Sequence, residues 1–194
     1  DQASNNVIEG NFIGSNAAGA MALGNASAGI RVGDAANNTI GGVAAGARNV
    51  ISGNAGSGIQ IAGVNATGNV VAGNYIGTDA AGELALGNAV AGVEVLNGAS
   101  DVTIDQNVIS GNGTLEAFSG IDIIGPGTTG VVVTGNLIGT NAAGTAAIGN
   151  VGAGVYIENS ADNTIGGTTA TARNVISGNN GDGILITGSG TTGN

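Results

Sequence analysis

Glu94 and Asp122 occupy the same place in two neighbouring copies of one short phrase, Gly92-Val-Glu-Val and Gly120-Ile-Asp-Ile. If the copies stack, the two carboxyl groups stand ~5 Å apart, the separation at which an acid and a carboxylate cleave a glycosidic bond with retention. The same pair offers oxygen ligands to calcium, with Asp101 or Asp105 adding more. A plainer reading is a solvated pair on an acidic surface, since exposed acids are common and cost little. The rest of the chain favours the plainer reading. It holds three arginines (Arg31, Arg48, Arg173), no Lys, no His and no Cys. It shows no nucleophile–base–acid set, no Cys/His metal spacing and no phosphate-binding glycine loop opening a helix. The expected catalytic set is therefore empty, with Glu94 and Asp122 as the residues to watch. No cofactor is expected, calcium being the one candidate.

The residues that recur are asparagines. Asn11, Asn49, Asn74, Asn107, Asn136 and Asn174 each lead a phrase Asn-x-Ile-Gly or Asn-x-Ile-Ser. Two residues on stand Ile13, Ile51, Ile76, Ile109, Ile138 and Ile176, and five on stand Asn16, Asn54, Asp79, Asn112, Asn141 and Asn179. Such self-similarity marks stacked units, none able to bury its apolar face alone. Asn tolerates a left-handed bend. Its amide can also donate to one stacked neighbour and accept from the other. Both series are expected to form structural ladders.

Two further series set the register. Gly-x-x-x phrases begin at Gly29, Gly58, Gly92, Gly120, Gly154 and Gly183, in steps of 29, 34, 28, 34 and 29 residues. Shorter and longer repeats thus alternate. Between them lie Asn6-Val-Ile, Asn38-Thr-Ile, Asn69-Val-Val, Val102-Thr-Ile, Val131-Val-Val and Asn163-Thr-Ile, with Asn194 as the next member. Each repeat therefore carries three short segments with strand-like alternation, and none has helical spacing. The inward residues are expected to be Ile30/Val32, Ile59/Ile61, Val93/Val95, Ile121/Ile123, Val155/Ile157 and Ile184/Ile186 from the first segment. Ile8, Ile40, Val71, Ile104, Val133 and Ile165 follow from the second, and the isoleucine series from the third. Longer loops after Asn16, Asp79 and Asn141 end at Asn25, Asn88 and Asn150. The expected fold is all-β: a right-handed parallel β-helix of about six rungs, one domain over 1–194, uncapped at both ends.

Composition agrees. The 194 residues include 40 Gly, 25 Asn, two Phe, two Tyr and no Trp, so the core must be thin and built of Ile, Val, Leu and Ala. A net charge of −10 argues against nucleic acid and anionic membranes as partners. No apolar run is long enough to span a bilayer. The acidic, Lys-free, Asn- and Gly-rich composition fits an extracellular or cell-surface microbial protein, bacterial or archaeal.

The pattern resembles the right-handed parallel β-helix repeat proteins, most closely the large extracellular bacterial type. The phrases that carry the resemblance are Asn74-Tyr-Ile-Gly-Thr-Asp-Ala-Ala-Gly-Glu-Leu-Ala-Leu-Gly-Asn88 and Ala47-Arg-Asn-Val-Ile-Ser-Gly-Asn54, the latter repeated at Ala172–Asn179. The resemblance implies the fold and a place within a large secreted or surface protein; the regularity, the lack of reactive side chains and the open ends favour a structural or adhesive module, a stalk or head-to-tail filament on a microbial surface. The same fold also hosts polysaccharide lyases and glycoside hydrolases. Those that cleave acidic sugars set Lys, Arg or His beside the acids, which Glu94 and Asp122 lack. Glycans are thus the alternative partner, through the acidic face.

One row asks for an explanation. Phe12, Val50, Tyr75, Val108, Leu137 and Val175 should point outward, yet all are apolar. The recurring loops are expected to cover them rather than leave an interaction stripe. The head of the chain starts in a second segment and the tail stops at its equivalent. Complementary open edges of this kind imply end-to-end self-association, or one slice of a longer array.

Overall fold

The computed structural model describes residues 3–115 and 118–194. Its regular elements are strands of two to four residues, in three six-stranded sheets. The first sheet stacks Ile30–Gly33, Ile59–Ala62, Val93–Leu96, Ile121–Ile124, Val155–Glu158 and Ile184–Thr187. The second stacks Val7–Ile8, Thr39–Gly41, Val70–Ala72, Thr103–Asp105, Val132–Thr134 and Thr164–Ile165. The third stacks Phe12–Ile13, Val50–Ile51, Tyr75–Ile76, Val108–Ile109, Leu137–Ile138 and Val175–Ile176. The chain visits each sheet once per turn and returns in the same direction, so neighbouring strands within the three sheets are parallel. The register follows the sequence repeat, for example Ile59↔Val93 and Val93↔Ile121. This is a parallel β-helix of about six turns.

Period-2 alternation places one side chain in two inside the column. The inward isoleucines and valines of the middle turns are fully enclosed, among them Ile59, Ile61, Ile76, Ile104, Ile109, Ile123 and Ile138. At the last turn nothing lies above the first-sheet strand, and Ile184 and Ile186 are exposed instead. Ile8, Ile13, Ile165 and Ile176 are partly covered for the same reason.

Between the second and third sheets runs an amide ladder. Each Asn side chain donates through Nδ2 to Oδ1 of the next, from Asn11 through Asn49, Asn74, Asn107 and Asn136 to Asn174, at 3.0–3.1 Å. The same Oδ1 also accepts the backbone N–H of the preceding Asn. The spare amide hydrogen goes to a carbonyl: Asn74 Nδ2 donates to Ile40 O at 2.9 Å. Asn74 is wholly buried yet satisfied. This is the condition under which a buried polar group does not destabilise.

The second ladder differs from expectation. It runs Asn25, Asn54, Asn88, Asn112, Asn150, Asn179, with Nδ2···Oδ1 distances of 2.8–3.0 Å. Asn16, Asp79 and Asn141 are not in it. Each instead folds its Oδ1 back onto the loop that follows, accepting from the N–H groups of Ala20 and Met21, Glu83 and Leu84, or Thr145 and Ala146. The long loops leave the column at these residues and fold back through the antiparallel bridges Ser15↔Ala22, Thr78↔Ala85 and Thr140↔Ala147, and the Asn that closes each loop is the one that joins the ladder. A shared Gly-Asn dipeptide marks the true members, from Gly24-Asn25 to Gly178-Asn179.

The ladder asparagines are not the left-handed residues either. At many corners that role falls to the residue just before them: Asn37 before Asn38, Gly73 before Asn74, Gln106 before Asn107, Gly135 before Asn136. Left-handed backbone at these positions lets the next side chain turn inward.

The apolar row is covered in the middle turns. Val50 and Val108 are buried, while Tyr75 and Leu137 are half-buried. The long loops fold back through antiparallel bridges Thr78↔Ala85 and Thr140↔Ala147. They bring Gly82 against the Tyr75 ring and Gly144 beside Leu137. At the column ends Phe12 and Val175 remain exposed.

Candidate functional site

The outward row of the first sheet reads Arg31, Gln60, Glu94, Asp122, Tyr156, Leu185, each paired with the next across one turn. Glu94 and Asp122 are thus direct neighbours, as the repeat spacing implies. Their surroundings are unlike. Glu94 is half-buried, and its Oε2 accepts from Ser57 Oγ at 2.6 Å and Gln60 Nε2 at 2.9 Å. Asp122 is 2% exposed, and its Oδ1 has no hydrogen-bond partner among the described residues. The solvated acidic pair expected from the sequence is therefore half wrong: one acid is solvated and clamped, the other is enclosed.

Burial pushes the Asp122 carboxyl up to about 6. The nearby Ser119 pulls the other way, and the Glu94 charge adds to the rise. A carboxyl cut off from water disfavours its anion, and a like charge one strand away does the same. Burial also raises the Tyr156 phenol, with Glu158 and then Asp122 adding to the effect.

Local sequence explains the enclosure. Between ladder Asn112 and Gly120 lie seven residues, where Asn54–Gly58 and Asn179–Gly183 have three. The longer turn ends in Phe118 and Ser119, which flank Asp122. With Ile124, Ala153, Tyr156 and Leu185 they line a recess of about 340 Å³ around the carboxyl. Glu94 is not part of that lining. A group held in the recess would meet Asp122, while Glu94 stands beside it, clamped by Ser57 and Gln60.

Asp101 and Asp105 do not join the pair. Asp105 lies in the second sheet, where Oδ1 accepts from Thr134 Oγ1 at 2.9 Å and Oδ2 from Gln106 Nε2 at 2.8 Å. Asp101 is a left-handed corner residue, φ 54°, and accepts from Thr67 Oγ1 at 3.2 Å. Among the described residues no three acidic, His or Cys side chains gather as a metal site. The calcium set of Glu94, Asp122, Asp101 and Asp105 is thus dispersed over different faces.

Arg48 is structural. Its guanidinium lies 3.9 Å over the Tyr75 ring, and Nε donates to Gly73 O at 3.4 Å. It supports the corner of the neighbouring turn and helps to cover the apolar row.

No family model matches the chain, and no curated protein does. Among solved structures, a variant of the periplasmic alginate epimerase AlgG is similar over 97% of this chain and 40% of its own, with TM-score 0.50 and 14% identity. The A-module of the Azotobacter vinelandii mannuronan C-5 epimerase AlgE4 matches 85% of this chain and 54% of its own, with TM-score 0.34 and 17% identity. The likeness to AlgG is one of fold. This chain spans less than half of that structure's length.

Proposed function

We propose that this chain is a structural module of a microbial extracellular repeat protein: a stiff length of β-helical column that serves as a surface stalk, adhesive arm or filament segment. The observation that carries this reading is the pair of asparagine ladders. Each links its rungs through stacked amides that are buried and fully satisfied in the middle turns. Such a ladder fixes every rung on the one before and leaves little freedom to bend. Six rungs at ~4.8 Å give a column ~30 Å long. The terminal strands offer unpaired backbone edges and exposed apolar side chains, Phe12 at one end and Ile184 and Ile186 at the other. Further rungs of the same kind, in the longer chain or in another copy, would cover them.

Location outside the cytoplasm is supported by the acidic, Lys-free composition and by the repeat resemblance. No helix of the described residues is long and apolar enough to cross a membrane.

Electron microscopy of the purified chain at rising concentration tests the reading. Rods that lengthen in steps of ~30 Å are expected. A species that stays monomeric at high concentration and shortens a polysaccharide would overturn it in favour of an enzyme.

A further inference from the structure

The Asp122 recess is not needed by a column. A structural rung would be stabler with an uncharged residue at so enclosed a place: of the other charged members of the row, Arg31 is exposed and Glu94 is hydrogen-bonded by Ser57 and Gln60, while Gln60, Tyr156 and Leu185 carry no charge. Asp122 instead keeps an enclosed carboxyl with one oxygen unpartnered, and it stands in the wall of a recess large enough for a single six-membered ring. We propose that this recess binds an organic ammonium, a primary amine carried on a small ring or apolar body.

Three observations select that chemistry. The first is charge. Asp122 and Glu94 are adjacent carboxyl groups, and among the described residues no cation is paired with them: Arg31 is two rungs from Glu94 and three from Asp122, and Arg48 is committed to Tyr75. The second is the wall. Phe118 and Tyr156 flank the carboxyl, and aromatic faces attract an ammonium while accepting an apolar body. The third is the number of oxygen donors. A divalent metal takes six or more oxygens, whereas this recess offers the side chains of Asp122 and Ser119 beside mostly apolar and aromatic groups. An ammonium needs only two or three acceptors and tolerates the apolar remainder. A bound ammonium would also remove the penalty that burial places on the Asp122 anion, because an opposite charge at hydrogen-bond distance favours it.

The test is calorimetric titration of the whole chain at pH 7.5 with benzylamine and with benzyl alcohol, which share a body and differ in charge. Benzylamine is expected to bind with roughly tenfold or greater preference, the ratio that one charge-assisted hydrogen bond supplies. Asp122→Asn, checked for folding by circular dichroism, is expected to abolish that preference. Glu94→Gln lies outside the recess lining and should reduce it severalfold without loss of structure, so the proposal stays testable if the first variant misfolds. Glucosamine compared with glucose, run the same way, reports whether a sugar ring can be the body. Equal binding of benzylamine and benzyl alcohol would overturn the proposal. So would no benzylamine binding up to ~10 mM, below which even a weak millimolar site registers. Displacement of benzylamine by calcium at stoichiometric amounts would show a metal site instead and would also overturn it.

Discussion

Asp122→Asn should make the protein more stable, and by an amount that depends on pH. In the unfolded chain the carboxyl titrates near 3.8, and in the folded chain near 6. The fold therefore binds the proton more tightly than the unfolded chain does, the reverse of a salt-bridged acid. Below about pH 3.8 both states hold the proton and Asp122 costs nothing on this account. Between 3.8 and 6 the unfolded chain loses it first, and stability falls as pH rises. Above 6 the cost is complete. About two pH units correspond to roughly 3 kcal/mol. Asparagine has the same shape and no charge, so the variant should gain about that much at pH 8 and almost none near pH 3.5. For a chain of this length the gain at pH 8 is ~6–12 °C in Tm. Thermal unfolding followed by circular dichroism, for both proteins at both pH values, gives the quantity that matters: the change of the gap with pH. Constant effects of the substitution cancel in it. A gap equal at the two pH values, or larger in acid, would show that Asp122 is not held in a desolvated site and would refute the reasoning.

Three more outcomes follow from the ladders and corners. Asn74→Ala should cost about 3 kcal/mol, since it strands the Asn49 and Asn107 amides inside the column. Asn16→Ala, which loses only loop contacts to Ala20 and Met21, should cost about 1 kcal/mol. Equal losses in urea titrations would contradict the ladder assignment given above. Gly77→Ala should be strongly destabilising, because a Cβ at that left-handed position would collide with Asn112 Oδ1 and Ser110 O; Gly33→Ala, which faces open space, should be close to neutral by the same assay. Ile109→Ala should cost about 2–5 kcal/mol as a fully buried isoleucine, and Ile186→Ala at the exposed last turn far less.

The column was legible because its signals are local and repeated. Alternation in phrases such as Gly-Ile-Gln-Ile assigns Ile59 and Ile61 to the core whatever surrounds them, and parallel stacking follows from the regular alternation of shorter and longer steps between copies. The second ladder was less legible. A constant five-residue offset points to Asn16, Asp79 and Asn141, but a loop that leaves and returns to the column hands the stacking position to the residue at its end. Asn25, Asn88 and Asn150 could have been found from the Gly that precedes them, because the chain passes so close to Gly53, Gly111 and Gly178 of the next rung that no side chain fits at Gly24, Gly87 or Gly149. The state of Asp122 was not legible from alternation at all. Alternation says only that it points away from the core. Whether outside means water depends on what the neighbouring turn lays over it. The extra length between Asn112 and Gly120, ending in Phe118, was the one sign that this turn differs from its equivalents.

The central claim is that these rungs form an extendable column, and one measurement tests it directly. In a tandem chain in which Asn194 of one copy is followed by Val7 of the next, the register of the repeat continues unbroken, since Asn194 occupies the place of Asn6. Small-angle X-ray scattering of the single and tandem chains would compare their lengths and cross-sections. The account predicts a maximum dimension greater by ~30 Å at an unchanged cross-section. Two bodies joined by a bend, or a wider and shorter particle, would contradict it.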